Sequence, residues 1–372
     1  MDLPLADRLL GLWVNWSVRR QPVSPLEDLD LTCTDRILLV LTTGLGDAIL
    51  STPVFDAIRR AIPHARIALF VRNTWAPLFQ NEPDIDEIVV YLGKWRRFFA
   101  TLAALRQFSP QLTLVLHGND PDILPLVYLA GSRHIVRIPT RGTRYGRLLS
   151  NLKRKQDRTT LPDLHYIDNR LRILDSVGIA PTRTAPILRN PQSDAVAAWL
   201  DANCGTHPYV VIHPWAADNY KTWPVQQTRS FLEKLAHGYP GLMAIVTGSS
   251  NNREAAATLV TGLDMARTVA GVFDIAGTAT LLASARAVIA PDTGILHMAA
   301  ALDIPTVGLF SPTRPKLVGQ RAATVTTQTL TRPLTCSPCM EKKCPHQPAA
   351  CMAQFDADAV LTALRSCLKA QA

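Results

Sequence analysis

The sequence has no run of 18 or more apolar residues, so no membrane-spanning helix is expected. Acids are scarce beside bases, with 30 Asp and Glu against 39 Lys and Arg, a net charge of +9. The apolar stretch from Leu9 to Val14 has no basic region before it and no small-residue cleavage site after it. That argues against a signal peptide and predicts a cytosolic chain, in which the seven cysteines stay reduced unless they bind metal. No repeat of solenoid length and no low-complexity tract is present. The basic residues are not interleaved with aromatics and match no nucleic-acid motif, so nucleic acid is not an expected partner.

What is there is a long alternation of strand and helix signals. Helical spacing of Leu5, Leu9, Leu12, Trp13 and Trp16, among Arg8, Arg19 and Arg20, predicts an N-terminal helix. It either packs on its own domain or lies in a membrane interface with Trp at the headgroup level. Residues 21–35, with Pro22 and Pro25, read as a linker. Strands are predicted at 36–41, 66–71, 87–91, 112–116 and 134–138, with helices over about 48–61, 95–108 and 123–130. The pattern restarts with helices at 165–177 and 194–203 and strands at 209–213, 243–247, 287–290 and 306–310. Such alternation predicts an α/β chain of two doubly wound, Rossmann-like domains facing a cleft. Their expected bounds are 36–190 for the first and 191–372 for the second, which carries a cysteine cluster and a terminal helix.

Two strand ends carry the chemistry. The segment Pro291-Asp292-Thr293-Gly294 leads from a buried strand into a small-residue helix containing His297. A helix N-terminus offers unpaired N–H groups and partial positive charge, which suit phosphate. Asp292 would repel phosphate and is better placed for sugar hydroxyls, although an N-cap Asp in a tight turn accounts equally well for that residue alone. The first strand ends in Thr42-Thr43-Gly44-Leu45-Gly46-Asp47. The third glycine of a dinucleotide fingerprint would fall at Ile49, and no acid is placed for a ribose after the second strand, which makes that reading a weak one. Gly46 lets a ligand approach the backbone, and Asp47 at the helix start suits a general base or a simple cap. In the second half, Lys221 lies in a loop where its ammonium can reach a diphosphate. Gly248 and Ser249 end another strand, with Glu254 placed for ribose hydroxyls.

Between residues 133 and 158 lie nine cations, Arg141, Arg144 and Arg147 among them, against the single acid Asp157. This excess predicts an anionic acceptor at a membrane surface. Cys336, Cys339, Cys344 and Cys351 are spaced either for a structural zinc or iron or as four free thiols.

Taken together, the Gly44–Asp47 run, Lys221-Thr222-Trp223-Pro224, the Gly248-Ser249 turn and Asp292-Thr293-Gly294…His297-Met298-Ala299-Ala300 resemble glycosyltransferase family 9, the heptosyltransferases of lipopolysaccharide core assembly. The resemblance spans roughly residues 36–365. It implies a GT-B fold and inverting transfer from ADP-heptose with no cofactor in the chemistry. Residue by residue it implies that Asp47 is the base and Lys221 a diphosphate contact. Asp292 would touch the donor sugar, and Thr293 with Gly294 would form the phosphate turn. The implied acceptor is an anionic glycolipid, lipid A–Kdo or an extended core, reached from the cytoplasmic face of the inner membrane. A protein acceptor, or a non-catalytic nucleotide-sugar binder, stays open at this level.

Overall fold

A computed structural model describes residues 5–138, 145–151, 163–189, 192–339, 344–346 and 349–369. The chain forms two compact units, residues 1–184 and 185–372.

The first unit opens with helix α1 (Leu5–Arg20) and is built on strands β1 (Arg36–Leu41), β2 (Arg66–Arg72), β3 (Glu87–Tyr91), β4 (Leu112–His117) and β5 (His134–Arg137). All pairs are parallel and the order is β3-β2-β1-β4-β5. Both faces of such a sheet are covered, so its strands are apolar almost throughout, and β1 is buried from Ile37 to Leu41. Between the strands run α2 (Leu45–Ile49), α3 (Pro53–Ala61), α4 (Phe98–Phe108) and α5 (Ile123–Leu129), and α6 (Tyr166–Ser176) follows β5.

The single helix expected over 48–61 is two. Pro53 has no N–H to donate and crowds the residue before it, so it begins a new helix after the break at Leu50–Thr52. The basic helix expected from Trp95 starts only at Phe98, because Trp95 and Arg97 adopt left-handed backbone angles, φ 63° and 48°. Within the linker, short 3-10 turns form at Leu26–Asp28 and Leu31–Cys33.

The second unit carries six parallel strands, β6 (Tyr209–Ile212), β7 (Met243–Val246), β8 (Ala266–Thr268), β9 (Ala287–Pro291), β10 (Thr306–Phe310) and β11 (Thr327–Thr331). Their order is β11-β10-β9-β6-β7-β8. Strands β8 and β11 were not expected: β8 has three residues, and the pattern TQTLT of β11 is polar and half exposed, as an edge strand can be. The helices are α7 (Asp194–Asn203), α8 (Val225–Gly238), α9 (Arg253–Val260), α10 (Ile275–Ala283), α11 (Gly294–Ala301), α12 (Pro315–Val318), α13 (Ala350–Ala353) and α14 (Ala357–Lys369).

Each sheet reverses its direction of winding once. The chain proceeds from β1 outward to β3, then returns to the other side of β1 with β4. In the second unit it proceeds from β6 to β8 and returns with β9. At such a reversal the loops leaving adjacent strands diverge and open a crevice at the strands' C-terminal ends. The crevices therefore lie between the ends of β1 and β4, and between those of β6 and β9.

Trp223 fixes the loop after β6. It is fully buried, its Nε1 donates to the Phe355 carbonyl at 3.0 Å, and its ring packs against Phe231 with centroids 5.6 Å apart. Its own N–H donates to the Pro214 carbonyl at 2.8 Å, which closes the loop carrying Lys221. Trp223→Ala is expected to cost about 3–5 kcal/mol, as for other buried aromatics. Urea unfolding of the purified variant measures it, and a change under about 0.5 kcal/mol, the range of surface substitutions, would deny Trp223 that anchoring role.

Candidate active site

In the first unit the β1/β4 crevice holds Asp47, Thr43, His117 and Arg170. Asp47 sits in the first turn of α2, half-buried. Its Oδ1 accepts from Arg170 Nη2 at 2.5 Å, and its Oδ2 accepts from Thr43 Oγ1 at 3.2 Å. His117 Nδ1 is 3.6 Å from the same Oδ2 and 2.5 Å from Thr43 Oγ1. The loop beneath is pinned from β2, where Arg72 Nε donates to the Thr42 carbonyl at 3.1 Å, and from Trp75, whose Nε1 donates to the Thr43 carbonyl at 2.8 Å.

His117 reaches this point through an irregularity in the ladder. Val40 pairs with Val115, but Leu41 pairs with His117, so Leu116 is an extra residue in β4. A bulge of this kind re-aims the following side chain. Burial, together with the Arg170 and Arg137 guanidinium groups, pushes His117 down to about 4 against the pull of Asp47. The imidazole is thus neutral at neutral pH. Arg170 is 6% exposed, and burial works against its charge while Asp47 supports it. Its Nη1 donates to the Tyr166 carbonyl at 3.0 Å, and its Nε is buried with no hydrogen-bond partner. A cavity of about 230 Å³ adjoins the group and is lined by His117, Asn119, Arg137, Tyr166, Asn169 and Arg170, among others.

In the second unit the β6/β9 crevice brings together three of the residues singled out in the sequence. Lys221 Nζ stands 2.9 Å from Asp292 Oδ2, and His297 Nε2 stands 3.4 Å from Asp292 Oδ1. Burial pushes the Asp292 carboxyl up, but the His297 hydrogen bond and the Lys221 charge outweigh it and hold the group at about 2. Asp292 in turn raises Lys221 against the effect of burial. Thr293 is the extended N-cap of α11, which starts at Gly294, and its buried Oγ1 has no hydrogen-bond partner.

The remaining candidates are more dispersed. Gly248 ends β7 where a Cβ would stand 2.8 Å from Trp215 Nε1 and 2.9 Å from Asn252 Cβ, so only glycine fits. Ser249 and Asn252 bond to each other as a capping box, and Glu254 is exposed in the first turn of α9. Gly46 lies within α2, and Arg147 is exposed in a short 3-10 turn, Gly146–Leu148. Arg141 and Arg144 lie outside the described residues.

Cys336, Cys339, Cys344 and Cys351 line one small cavity with His346. Even so, among the described residues no three or more His, Cys, Asp or Glu side chains are grouped to hold a metal ion, and none of the four cysteines is in a disulfide. Burial pushes the Cys351 thiol up, and nearby Cys344 and Cys339 push the same way. The residues as placed do not fit the tetrahedral zinc or iron expected from their spacing, because such an ion needs four deprotonated ligands converging on one point.

Sequence reading missed Arg170 and gave His117 no role. For Arg170 a signal existed: it is a cation on the face of α6 that also buries Ile167, Leu171 and Leu174. For His117 none existed, since the bulge that aims it leaves no mark in the pattern of residues.

Two parallel α/β units, each with a polar cluster at its winding reversal, have the GT-B fold. The fold matches that of the solved E. coli ADP-heptose lps heptosyltransferase II, with a TM-score of 0.72 at 20% identity over 90% of this chain and 99% of that one. The family description Glycosyltransferase family 9 (heptosyltransferase) matches residues 155–350. The chain is 30% identical over 328 residues to lipopolysaccharide heptosyltransferase 1 of Pseudomonas aeruginosa, covering 84% of this chain and 88% of that protein. It is 24% identical to lipopolysaccharide heptosyltransferase 2 of Salmonella typhimurium, over 75% of this chain and 84% of that protein. The chain belongs to glycosyltransferase family 9.

The depressed His117 fixes a pH dependence. The unfolded chain takes up a proton near the ordinary value of 6.5, the folded chain only near 4. The stability contributed by neutral His117 is therefore full above pH 6.5 and is lost as pH falls toward 4. His117→Asn should flatten the unfolding midpoint of the first unit over that window. An unchanged slope would show that His117 titrates normally. His213 has the same depression from burial in the second unit and is the matched control.

Proposed function

We propose that the protein transfers a heptose from ADP-heptose, with inversion, to an anionic inner-core glycolipid of lipopolysaccharide, lipid A–Kdo or an extended core, at the cytoplasmic face of the inner membrane. The relatives named above support heptose transfer in lipopolysaccharide core assembly. The observation that carries the chemistry is the placing of Asp47 at the β1/β4 crevice, with one carboxylate oxygen held by Arg170 and the other facing Thr43 and His117.

In this reading Asp47 Oδ2 takes the proton of an acceptor hydroxyl. The freed oxygen forms a bond to the anomeric carbon, and the bond from that carbon to the diphosphate oxygen breaks on the opposite face. Arg170 keeps the carboxylate oriented, in the way a base is held by a third group. Negative charge builds on the departing ADP. Lys221 and the free N–H groups at the start of α11, after Thr293 and Gly294, stabilise that charge from fixed positions. Asp292, kept ionised, accepts from hydroxyls of the donor sugar beside His297. Gly248, Ser249 and Glu254 form the nucleoside end of the donor site. Gly46 leaves room for the acceptor.

The anionic acceptor is supported by the cavity beside Asp47. Arg137 reaches Asn119 Oδ1 at 3.2 Å and shares the cavity lining with Arg170. Two guanidinium groups next to a base suit a carboxylate or phosphate on the sugar being modified. The exposed Arg147, with Arg141 and Arg144, would add to the field drawing such an acceptor in.

Asp47→Asn is expected to leave ADP-heptose affinity within a few-fold and to lower turnover about a hundredfold or more, the scale of a lost general base. Radiometric transfer to lipid A–Kdo measures it, and near-wild-type turnover removes Asp47 from the role. Arg137→Gln should raise the acceptor KM and leave the donor KM alone. Transfer to a protein acceptor with none to the glycolipid would overturn the acceptor class while keeping the family.

A further inference from the structure

Helix α1 has two apolar faces, and the fold uses only one. Leu10 and Val14 are 5% and 0% exposed and join the core of the first unit with Leu124, Val127 and Tyr128. On the other face Leu5, Leu9, Leu12 and Trp16 are 71%, 56%, 66% and 53% exposed. Among the described residues nine large apolar side chains are exposed, and these four share one helix face. At 100° per residue they fall within an arc of about 60°, so they form a continuous stripe along the helix.

On α1 itself the charges flanking that stripe have one sign. Arg8 and Arg19 lie along one edge of it and Arg20 along the other, and all three are exposed. The Arg20 guanidinium stands 3.9 Å over the Trp16 ring. The only acid of α1, Asp7, is 3% exposed on the buried side and pairs with Lys94 at 3.6 Å. Arg133 adds another exposed cation near the helix end, where its carbonyl accepts from the Ser24 amide at 3.1 Å. An apolar stripe flanked by arginines, with Trp among the apolar residues and no acid facing out, suits the boundary between acyl chains and anionic headgroups. A partner protein would be expected to offer acids, and nothing in the stripe itself is shaped to receive a particular side chain.

We propose that α1 is a membrane-docking helix that lies in the surface of an anionic bilayer, with Leu5, Leu9, Leu12 and Trp16 inserted and Arg8, Arg19 and Arg20 on the headgroups. It binds the bilayer itself and needs neither donor nor acceptor, so it does not depend on the reading of the active site.

The test is flotation of the full chain with vesicles of phosphatidylcholine containing one part in four of phosphatidylglycerol, alongside vesicles of phosphatidylcholine alone. Wild type is expected to float with the anionic vesicles, and binding should fall at least tenfold on neutral vesicles or at high salt. Leu9→Ser with Leu12→Ser should reduce binding to anionic vesicles at least tenfold. Because both residues are exposed, the unfolding midpoint and turnover on an acyl-free acceptor should stay as in wild type. Arg8→Gln with Arg19→Gln and Arg20→Gln should remove the preference for anionic over neutral vesicles. Absence of vesicle binding by wild type overturns the proposal, as does equal binding by the Leu9 and Leu12 variant. A wild-type dimer that the same double variant converts to monomer, with no vesicle binding by either, would assign the stripe to a second copy of the chain instead.

Discussion

The constraint on which the chemistry rests is the single reversal of winding in each parallel sheet. Parallel strands deliver every strand end to the same edge, and the reversal parts two neighbouring loops there. In the first unit the parted ends belong to β1 and β4, which present Asp47 and His117. In the second they belong to β6 and β9, which present Lys221 and Asp292. Helices α2, α6 and α11 add Asp47, Arg170 and His297 to these ends. The strand order is not replaceable, because another order would carry these side chains to unrelated places.

The two crevices are furnished alike. Each has an aspartate just after a central strand, a cation from a different segment within about hydrogen-bond reach, and a histidine on the aspartate's second side. Their settings differ in depth. Asp292 is 10% exposed at its side chain, Asp47 27%. The deeper carboxylate is held at about 2 by its partners and stays an anion under any working condition. The shallower one has one oxygen on Arg170 and the other toward Thr43 and His117. The same arrangement is thus buried in one unit and partly open in the other.

Much of this was legible in the residues. Short apolar, β-rich runs located the strands that form both sheet centres, and Gly, Asp and Lys at strand ends marked the candidate loops. Polar edge strands escaped, because Thr327–Thr331 has no apolar face to betray it. So did the break at Pro53, where helix-compatible spacing runs on through a residue that must restart the helix. Partners distant in sequence were harder still. Arg170 gives its charge to a residue 123 positions earlier, and the packing of α6 on α3, β4 and β5 makes them neighbours. The cysteine spacing left metal and free thiols both open: the four thiols line one cavity, and among the described residues no three or more ligands are grouped for a metal ion.

That distance between Asp47 and Arg170 has a consequence for synthesis. A chain leaving the ribosome has emitted the five strands of its first sheet, and the loop bearing Asp47, once Arg137 is out. The counter-ion arrives only with α6, which ends at Ser176. Until α6 docks, the nascent unit carries a carboxylate without its guanidinium and lacks the helix that covers one face of β4 and β5. The last helix of the first unit therefore both covers part of the sheet and brings Asp47 its guanidinium, so a chain that ended before it would lack both.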